Sequence, residues 1–362
     1  MDFDFDAQLG KSRGSEFIRL YQNLISTYTN ASGTWFFMEP RTKIYRWRLS
    51  RQIDKLLKDL IKQKFSEQKQ LASSKKSRSV LSLSLQDTDT IDATLLTQTS
   101  DQLKTFLFAG HDTTSILLQW IFFELSRTPH ALAAVRAEFD DIFGPDPDPA
   151  IVRDKLLAQG EEVTRRMSYT SAVVKETLRL YPPAGTARMS MPGSGLTVRL
   201  PESGAEVCLD GLVLYNCASI IQRDRAVYGD TANDFVPERW LGDVDTSMRT
   251  NSDVVQDGKP AQATGGRVPP SAWRPFERGP RNCIGQELAN LEVRVILACT
   301  LRRYDFTKIG LGENVLDERG EPVLNSKRQY EVKANMYCVG DLPHWFEREA
   351  CLFANCSTRR AK

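Results

Sequence analysis

Phe276-Glu277-Arg278-Gly279-Pro280-Arg281-Asn282-Cys283-Ile284-Gly285 is the most informative run in this chain of 362 residues. It has the form F-x-x-G-x-R-x-C-x-G, and average residue frequencies would produce it in on the order of one in 10⁴ chains of this length. Gly279 and Gly285 permit a tight turn and a close approach to whatever faces the sulfur. The apolar run Leu288 to Leu301 follows at helical spacing, so Cys283 stands just before a helix N-terminus, where the dipole favours a thiolate. Arg281 can pair with a carboxylate. A lone buried cysteine would be an inert small hydrophobe. The other four motif positions make a metal-ligating thiolate the stronger reading, while the remaining cysteines keep the inert one.

Outward from this run the pattern is mainly helical with a small β part. Apolar residues recur at helical spacing from Ile44 to Gln68, with lysines and arginines between them, predicting an amphipathic helix with a basic outer face. Ala72 to Ser84 reads as a Ser/Lys-rich surface loop, with helix resuming near Asp92. Leu103 to Leu125 follows the i, i+3, i+4, i+7 rule over more than twenty residues, although Gly110, Asp112 and Thr113 midway are poor choices for an apolar helix. A helix from Pro129 to Phe143 ends at GPDPDP, a turn-rich connector follows, and Ser168 to Leu180 is again helical up to Pro182-Pro183. Short β-prone runs come next: Thr197 to Leu200, Glu206 to Leu209 and Leu212 to Tyr215. Residues 242–271 are polar and rich in Gly, Asp, Thr and Pro, and are expected to be a mobile insertion. No internal repeat is present.

Composition excludes several functions. Lys and Arg number 48 against 46 acidic residues, a formal net charge of +2, so no global field favours nucleic acid or an anionic membrane. Seven scattered cysteines without a C-x-x-C pair, and 3 histidines, suggest neither a disulfide framework nor a zinc site. MDFDFDAQLG lacks the basic head and apolar stretch of a signal peptide or anchor. The most apolar segment, Leu103 to Leu125, contains His111, Asp112, Gln119 and Glu124, which suit a buried soluble helix better than lipid.

Three further motifs precede the cysteine in chain order: Ala109-Gly-His-Asp-Thr113-Thr114, Glu176-Thr-Leu-Arg179 and Pro237-Glu-Arg239-Trp240. Together with Phe276 to Gly285 they resemble the A/G-G-x-D/E-T-T, E-x-x-R, P-E-R-F/W and haem-binding signatures of the cytochrome P-450 family, eukaryotic or fungal type. The resemblance implies the C-terminal portion of the P-450 fold, with haem b (iron protoporphyrin IX) held by the Cys283 thiolate. Such a ligand needs a turn that presents the sulfur, backbone N–H groups that lower its basicity and shielding from water. Phe276 and Gly285 would line the cofactor and Arg281 would meet a haem propionate. Arg188, where the family often places a second propionate ligand, is otherwise an exposed strand arginine.

The remaining roles also come from the resemblance. Thr113 would hydrogen-bond the bound dioxygen and Asp112 would help deliver protons, on a helix that bends over the iron. A threonine in an apolar helix otherwise back-bonds to a carbonyl. His111 is expected to be a helix side chain only. Glu176, Arg179 and Arg239 would form a structural network, although an E-x-x-R pair taken alone is usually a solvated bridge. Pro183 to Ala187 would line the substrate pocket. Electrons would come from an NADPH-dependent flavoprotein reductase, met by Arg274 and Arg278 unless these belong to a merely solvated basic loop.

The implied activity is O2- and NADPH-dependent oxidation of a small lipophilic substrate. PFERGPRNCIGQELA has the style of fungal secondary-metabolism members. Only about a hundred residues precede the oxygen-binding helix, so a single P-450 domain over 1–362 is expected to lack its N-terminal part, including the family's W-x-x-x-R helix and membrane anchor. Trp47 to Arg51 fits that pattern by letter but lies too near Ala109. Full-length relatives sit on the cytosolic face of the endoplasmic reticulum; this chain shows no anchor. The tail at 344–362 departs from the usual ending. The competing reading is a non-catalytic remnant of such an enzyme.

Overall fold

A computed structural model describes residues 15–29, 40–70, 79–86, 88–200, 203–243, 268–308, 313–333 and 353–358. Within them the chain is mostly helical with three small two-stranded sheets, as its periodicity predicts. It divides into two compact units, one within 1–111 with 336–351, the other within 112–335 with 352–362. Among the described residues, no helix is long and apolar enough to cross a membrane.

In the first unit, α1 (Glu16–Thr29) packs on α2 (Pro40–Gln70) through Phe17, Leu20, Leu49, Ile53 and Leu57. Arg46 fastens the end of α1, its Nη2 donating to the Thr27 carbonyl at 2.5 Å and its Nε to Thr27 Oγ1 at 3.0 Å. Further along α2, Ile61 joins Leu81, Leu85 and Leu103 in a second apolar cluster. Leu81 lies on α3 (Val80–Ser84), which corrects the expected loop: Ser79 accepts a hydrogen bond from Ser82 N and caps a single helical turn. Of that expected loop, residues 72–78 lie outside the described residues. Trp47 and Arg51 are one turn apart on α2, with the guanidinium 4.3 Å over the indole ring.

The long helix α4 (Ala93–Arg127) runs unbroken through Gly110, and from Asp112 onward it belongs to the second unit. There α5 (Pro129–Phe143), α6 (Pro149–Arg166), α7 (Ser168–Leu180) and α10 (Gln286–Leu301) share one core, in which Ile121, Phe139, Val173 and Leu297 are completely buried. The helix α6 replaces the expected connector. Asp148 accepts from Ala150 N and Pro149 occupies the first turn, so the Pro/Asp run that ends α5 also starts the next helix.

Between α7 and α10 lie β1 (Thr186–Met189), β2 (Thr197–Arg199), β3 (Glu206–Cys208) and β4 (Val213–Asn216), paired antiparallel as β1–β4 and β2–β3. The strand β1 lies outside the three expected runs. Two short helices, α8 (Ala218–Ile221) and α9 (Arg225–Tyr228), lead to a 3-10 segment at Pro237–Asp243. After α10, β5 (Tyr304–Lys308) pairs antiparallel with β6 (Phe353–Thr358). Of the expected insertion at 242–271, residues 244–267 lie outside the described residues, and Pro270–Ala272 forms a 3-10 turn. Of the tail at 344–362, only 353–358 are described.

Candidate functional site

The Cys283 loop is a compact series of backbone turns ending at α10. Glu277 N donates to the Arg274 carbonyl at 3.1 Å, Asn282 N to the Gly279 carbonyl at 3.1 Å, and Cys283 N to the Phe276 carbonyl at 2.8 Å. Gly279 has φ 83°, the left-handed region that glycine enters freely, which explains its place in the motif. Gly285 serves differently. Its φ is −86°, but a Cβ built there would stand 3.8 Å from Cys283 Sγ. That is ordinary van der Waals contact, so glycine leaves this flank of the sulfur open without being sterically required. It is also the N-cap of α10, which brings the positive end of the helix close to the thiol.

These surroundings fit the haem that the sequence implies. Cys283 is exposed, and the neighbouring Ile284 and Leu288 are 87% and 63% exposed, an apolar face that a flat hydrophobic group would cover. Phe276 is half-buried and meets Trp273 edge-on, with ring centroids 6.1 Å apart. Arg274 Nε is buried without a hydrogen-bond partner among the described residues, a donor suited to a carboxylate-bearing ligand. Among the described residues, no three His, Cys, Asp or Glu side chains gather as a metal cage. An axial thiolate on a porphyrin iron requires only the one sulfur.

Glu176 and Arg179, one turn apart on α7, are both completely buried. Their contact is bidentate, Nε to Oε2 at 2.9 Å and Nη2 to Oε1 at 2.8 Å. Arg239 Nε joins Oε1 at 3.0 Å, as does Val236 N at 3.0 Å, while Trp240 Nε1 donates to Oε2 at 2.8 Å. Arg179 spends its other donors on the carbonyls of Gln222, Ala232 and Asp234. The three motif residues thus come together as the resemblance implies.

Trp240, the last residue of the Pro237–Trp240 motif, and Gln222, which lies outside every motif, complete the network. The Trp240 indole closes the carboxylate, and the fully buried Gln222 connects the network to the cysteine loop. Its Nε2 donates to the Leu178 and Arg179 carbonyls at 3.1 Å each, and its Oε1 accepts from Arg274 N at 2.6 Å. A polar residue following Ser219-Ile220-Ile221 gives no periodic signal that would single it out.

The other expected residues are placed as follows. Asp112 and Thr113 are half-buried at mid-helix in α4, followed by the buried Thr114, and Ser115 Oγ donates back to the Asp112 carbonyl at 2.9 Å. His111 stands edge-on to Tyr21, with centroids 6.3 Å apart. Arg188 is exposed on β1, its Nη1 bonded to the adjacent Ala187 carbonyl at 3.0 Å. Arg278 and Arg281 are exposed, whereas Arg274 is half-buried. Pro183 is half-buried and Ala184, Gly185 and Ala187 are exposed.

One acid in this region has no counterpart among the sequence expectations. Glu277 adopts φ 59° and its Oε1 accepts from Thr186 Oγ1 and from Asn216 Nδ2, the latter at 2.8 Å. The Thr186 and Asn216 hydrogen bonds hold its carboxyl below the usual range, with Arg188 and Arg274 adding Coulombic attraction.

Comparison with known proteins gives a family and relatives. A family model described as cytochrome P-450 matches residues 3–334. Cytochrome P-450 monooxygenase acrF of Aspergillus aculeatus is 30% identical over 305 residues, covering 82% of this chain and 58% of that protein. Cytochrome P-450 monooxygenase polC of Polytolypa hystricis is 35% identical over 239 residues, 64% of this chain and 37% of that protein. A bifunctional cytochrome P-450/NADPH–P-450 reductase of Gibberella moniliformis is 32% identical over 212 residues, 58% of this chain and 15% of that protein. The chain spans less than two thirds of the length of each.

Proposed function

This chain belongs to the cytochrome P-450 family, a family of haem-thiolate enzymes, and we propose on that basis that it is a monooxygenase acting on a small lipophilic molecule. The observation that carries the reading is the exposed Cys283 thiol, set on a turn closed by its own N–H and flanked by a glycine and exposed apolar side chains.

Bound haem b would supply the iron that activates O2, with electrons delivered from outside. Cys283, just before the N-terminus of α10, would supply the sulfur that holds it. Arg281 and Arg188, both exposed, would hold the propionates, and Phe276 would pack against the ring. Asp112 and Thr113 would pass protons toward the oxygen, and the Pro183 to Ala187 segment would meet the substrate. In the overall reaction one oxygen atom enters a C–H bond and the other leaves as water, consuming two electrons and two protons.

The electron donor would be an NADPH-dependent flavoprotein reductase, docking near the exposed Arg278. The Gibberella relative, whose name joins a P-450 to such a reductase, supports this choice. The two fungal relatives, both named cytochrome P-450 monooxygenases, support the monooxygenase reading.

The test is isotopic. With reductase, NADPH and labelled dioxygen, a panel of lipophilic compounds should give a product carrying one labelled atom; label from water alone would overturn the monooxygenase reading. In the same assay Thr113→Ala should raise peroxide released per product about tenfold. Unchanged coupling would remove Thr113 from the proton path.

A further inference from the structure

We propose that Glu277 is a positioning residue that clamps the Cys283 loop to the β1–β4 hairpin and thereby fixes where the thiol stands. This rests on the haem-thiolate reading above. Three observations lead to it. First, Glu277 is one of two non-glycine residues among those described with positive φ, at 59°, a conformation that a side chain with a Cβ enters at a cost. Second, the side chain offsets that cost with specific bonds. Thr186 Oγ1 and Asn216 Nδ2 converge on its Oε1, and these two residues face each other across the β1–β4 ladder. The acid therefore grips both strands at the end of the hairpin.

Third, the backbone of the same turn leads straight to the sulfur. Phe276, adjacent to Glu277, accepts the Cys283 N–H at 2.8 Å, and Glu277 N donates to Arg274, whose own N–H is held by the buried Gln222. The loop is thus fastened at two places. Gln222 ties its entry to α7, and Glu277 ties its first turn to β1 and β4. The hairpin also carries Arg188, whose charge attracts the Glu277 carboxylate. A ligand that displaces Arg188 or the hairpin end would act on Glu277 and, through Phe276, on the thiol.

Two variants separate the clamp from general stability. Glu277→Gly keeps the left-handed turn, which glycine favours, and removes the whole side chain with its carboxylate. Thr186→Val keeps the β-branched strand residue and every residue of the loop while removing one donor. In the haem-free chain, amide hydrogen exchange at Asn282 and Cys283 should be about tenfold faster in Glu277→Gly and several-fold faster in Thr186→Val. Glu277→Gln, which retains an acceptor at the same reach, should restore exchange to within about threefold of the parent. In the haem-loaded chain, Glu277→Gly should lower the fraction of reduced, CO-bound haem with the red-shifted thiolate Soret band, and Glu277→Gln should recover it.

Unchanged exchange at Cys283 in both Glu277→Gly and Thr186→Val would overturn the clamp. So would equal spectra in the glycine and glutamine variants when the parent chain shows the red-shifted band. Absence of the red-shifted band in the parent chain would overturn the haem reading instead, and the exchange result would still decide the clamp.

Discussion

Glu176 and Glu124 are both buried carboxylates of the second unit, yet their surroundings differ in kind. Glu176 accepts five hydrogen bonds, from Arg179 twice, Arg239, Val236 N and Trp240. Among the described residues Glu124, on α4, accepts one from Tyr181 OH at 2.6 Å, while its Oε2 is buried without a hydrogen-bond partner and Arg127 stands 4.0 Å away. Nearby Lys308 is also buried, and its Nζ has no hydrogen-bond partner among the described residues. A buried charge is tolerable when its lone pairs are filled and costly when they are not. The first carboxylate therefore acts as a strut under the cysteine loop, reaching it through Gln222. The second is a site whose contribution to stability depends on pH.

The largest effect that would sharpen this contrast is expected from Arg179→Ala. It leaves the Glu176 carboxylate buried without its bidentate partner, at a cost of about 3–5 kcal/mol, a large share of the stability of an ordinary domain. Urea unfolding of the variant should show a much lower midpoint or no folded baseline; a loss under about 1 kcal/mol would break the comparison.

Lys308→Met should do the opposite. Burial is the main cause that lowers the Lys308 pKa from 10.5 to about 8, with Arg127 adding to the effect and Glu124 opposing it. Because the folded value lies below the unfolded one, the unfolded chain binds more protons between the two. Stability from this group is therefore complete above 10.5 and is lost as pH falls through about 8. Methionine at 308 should raise stability near neutral pH by about 1–2 kcal/mol and remove the rise across that window. A variant less stable than the parent near neutral pH would show that the Glu124–Lys308 attraction outweighs the desolvation.

Tyr181→Phe is the smallest change. It preserves the stacking on Trp120, where centroids are 3.9 Å apart, and removes the one hydrogen bond that Glu124 accepts among the described residues. The expected loss is about 1 kcal/mol near neutral pH by denaturant midpoint. The Glu124 carboxyl, already pushed up by burial, should rise further. No change in stability would imply that Glu124 is satisfied by another route.

What could be read from the chain follows the same division. Residues with strong periodicity or a fixed motif were legible: α5 and α7 have the bounds that the sequence predicts, and Glu176, Arg179 and Arg239 meet as the resemblance implies. The helix α6 was not legible, because its Pro/Asp opening also reads as a stop. Gln159, at φ −143° and ψ 40°, also breaks its apolar phase. One-turn α3 is too short for any period to show. Within the site, the Gly279 turn was foreseeable, whereas Glu277 in left-handed backbone and Gln222 at the loop entry depend on tertiary partners far along the chain. The pairing that makes Glu124 differ from Glu176 likewise exists only after folding.

The most direct test of the central claim is the absorption spectrum of the haem-loaded chain after reduction and addition of carbon monoxide, compared with that of Cys283→Ala. The account predicts a red-shifted Soret band in the parent chain that disappears in the variant. A parent chain without that band, or a variant that keeps it, would contradict Cys283 as the ligand of the iron.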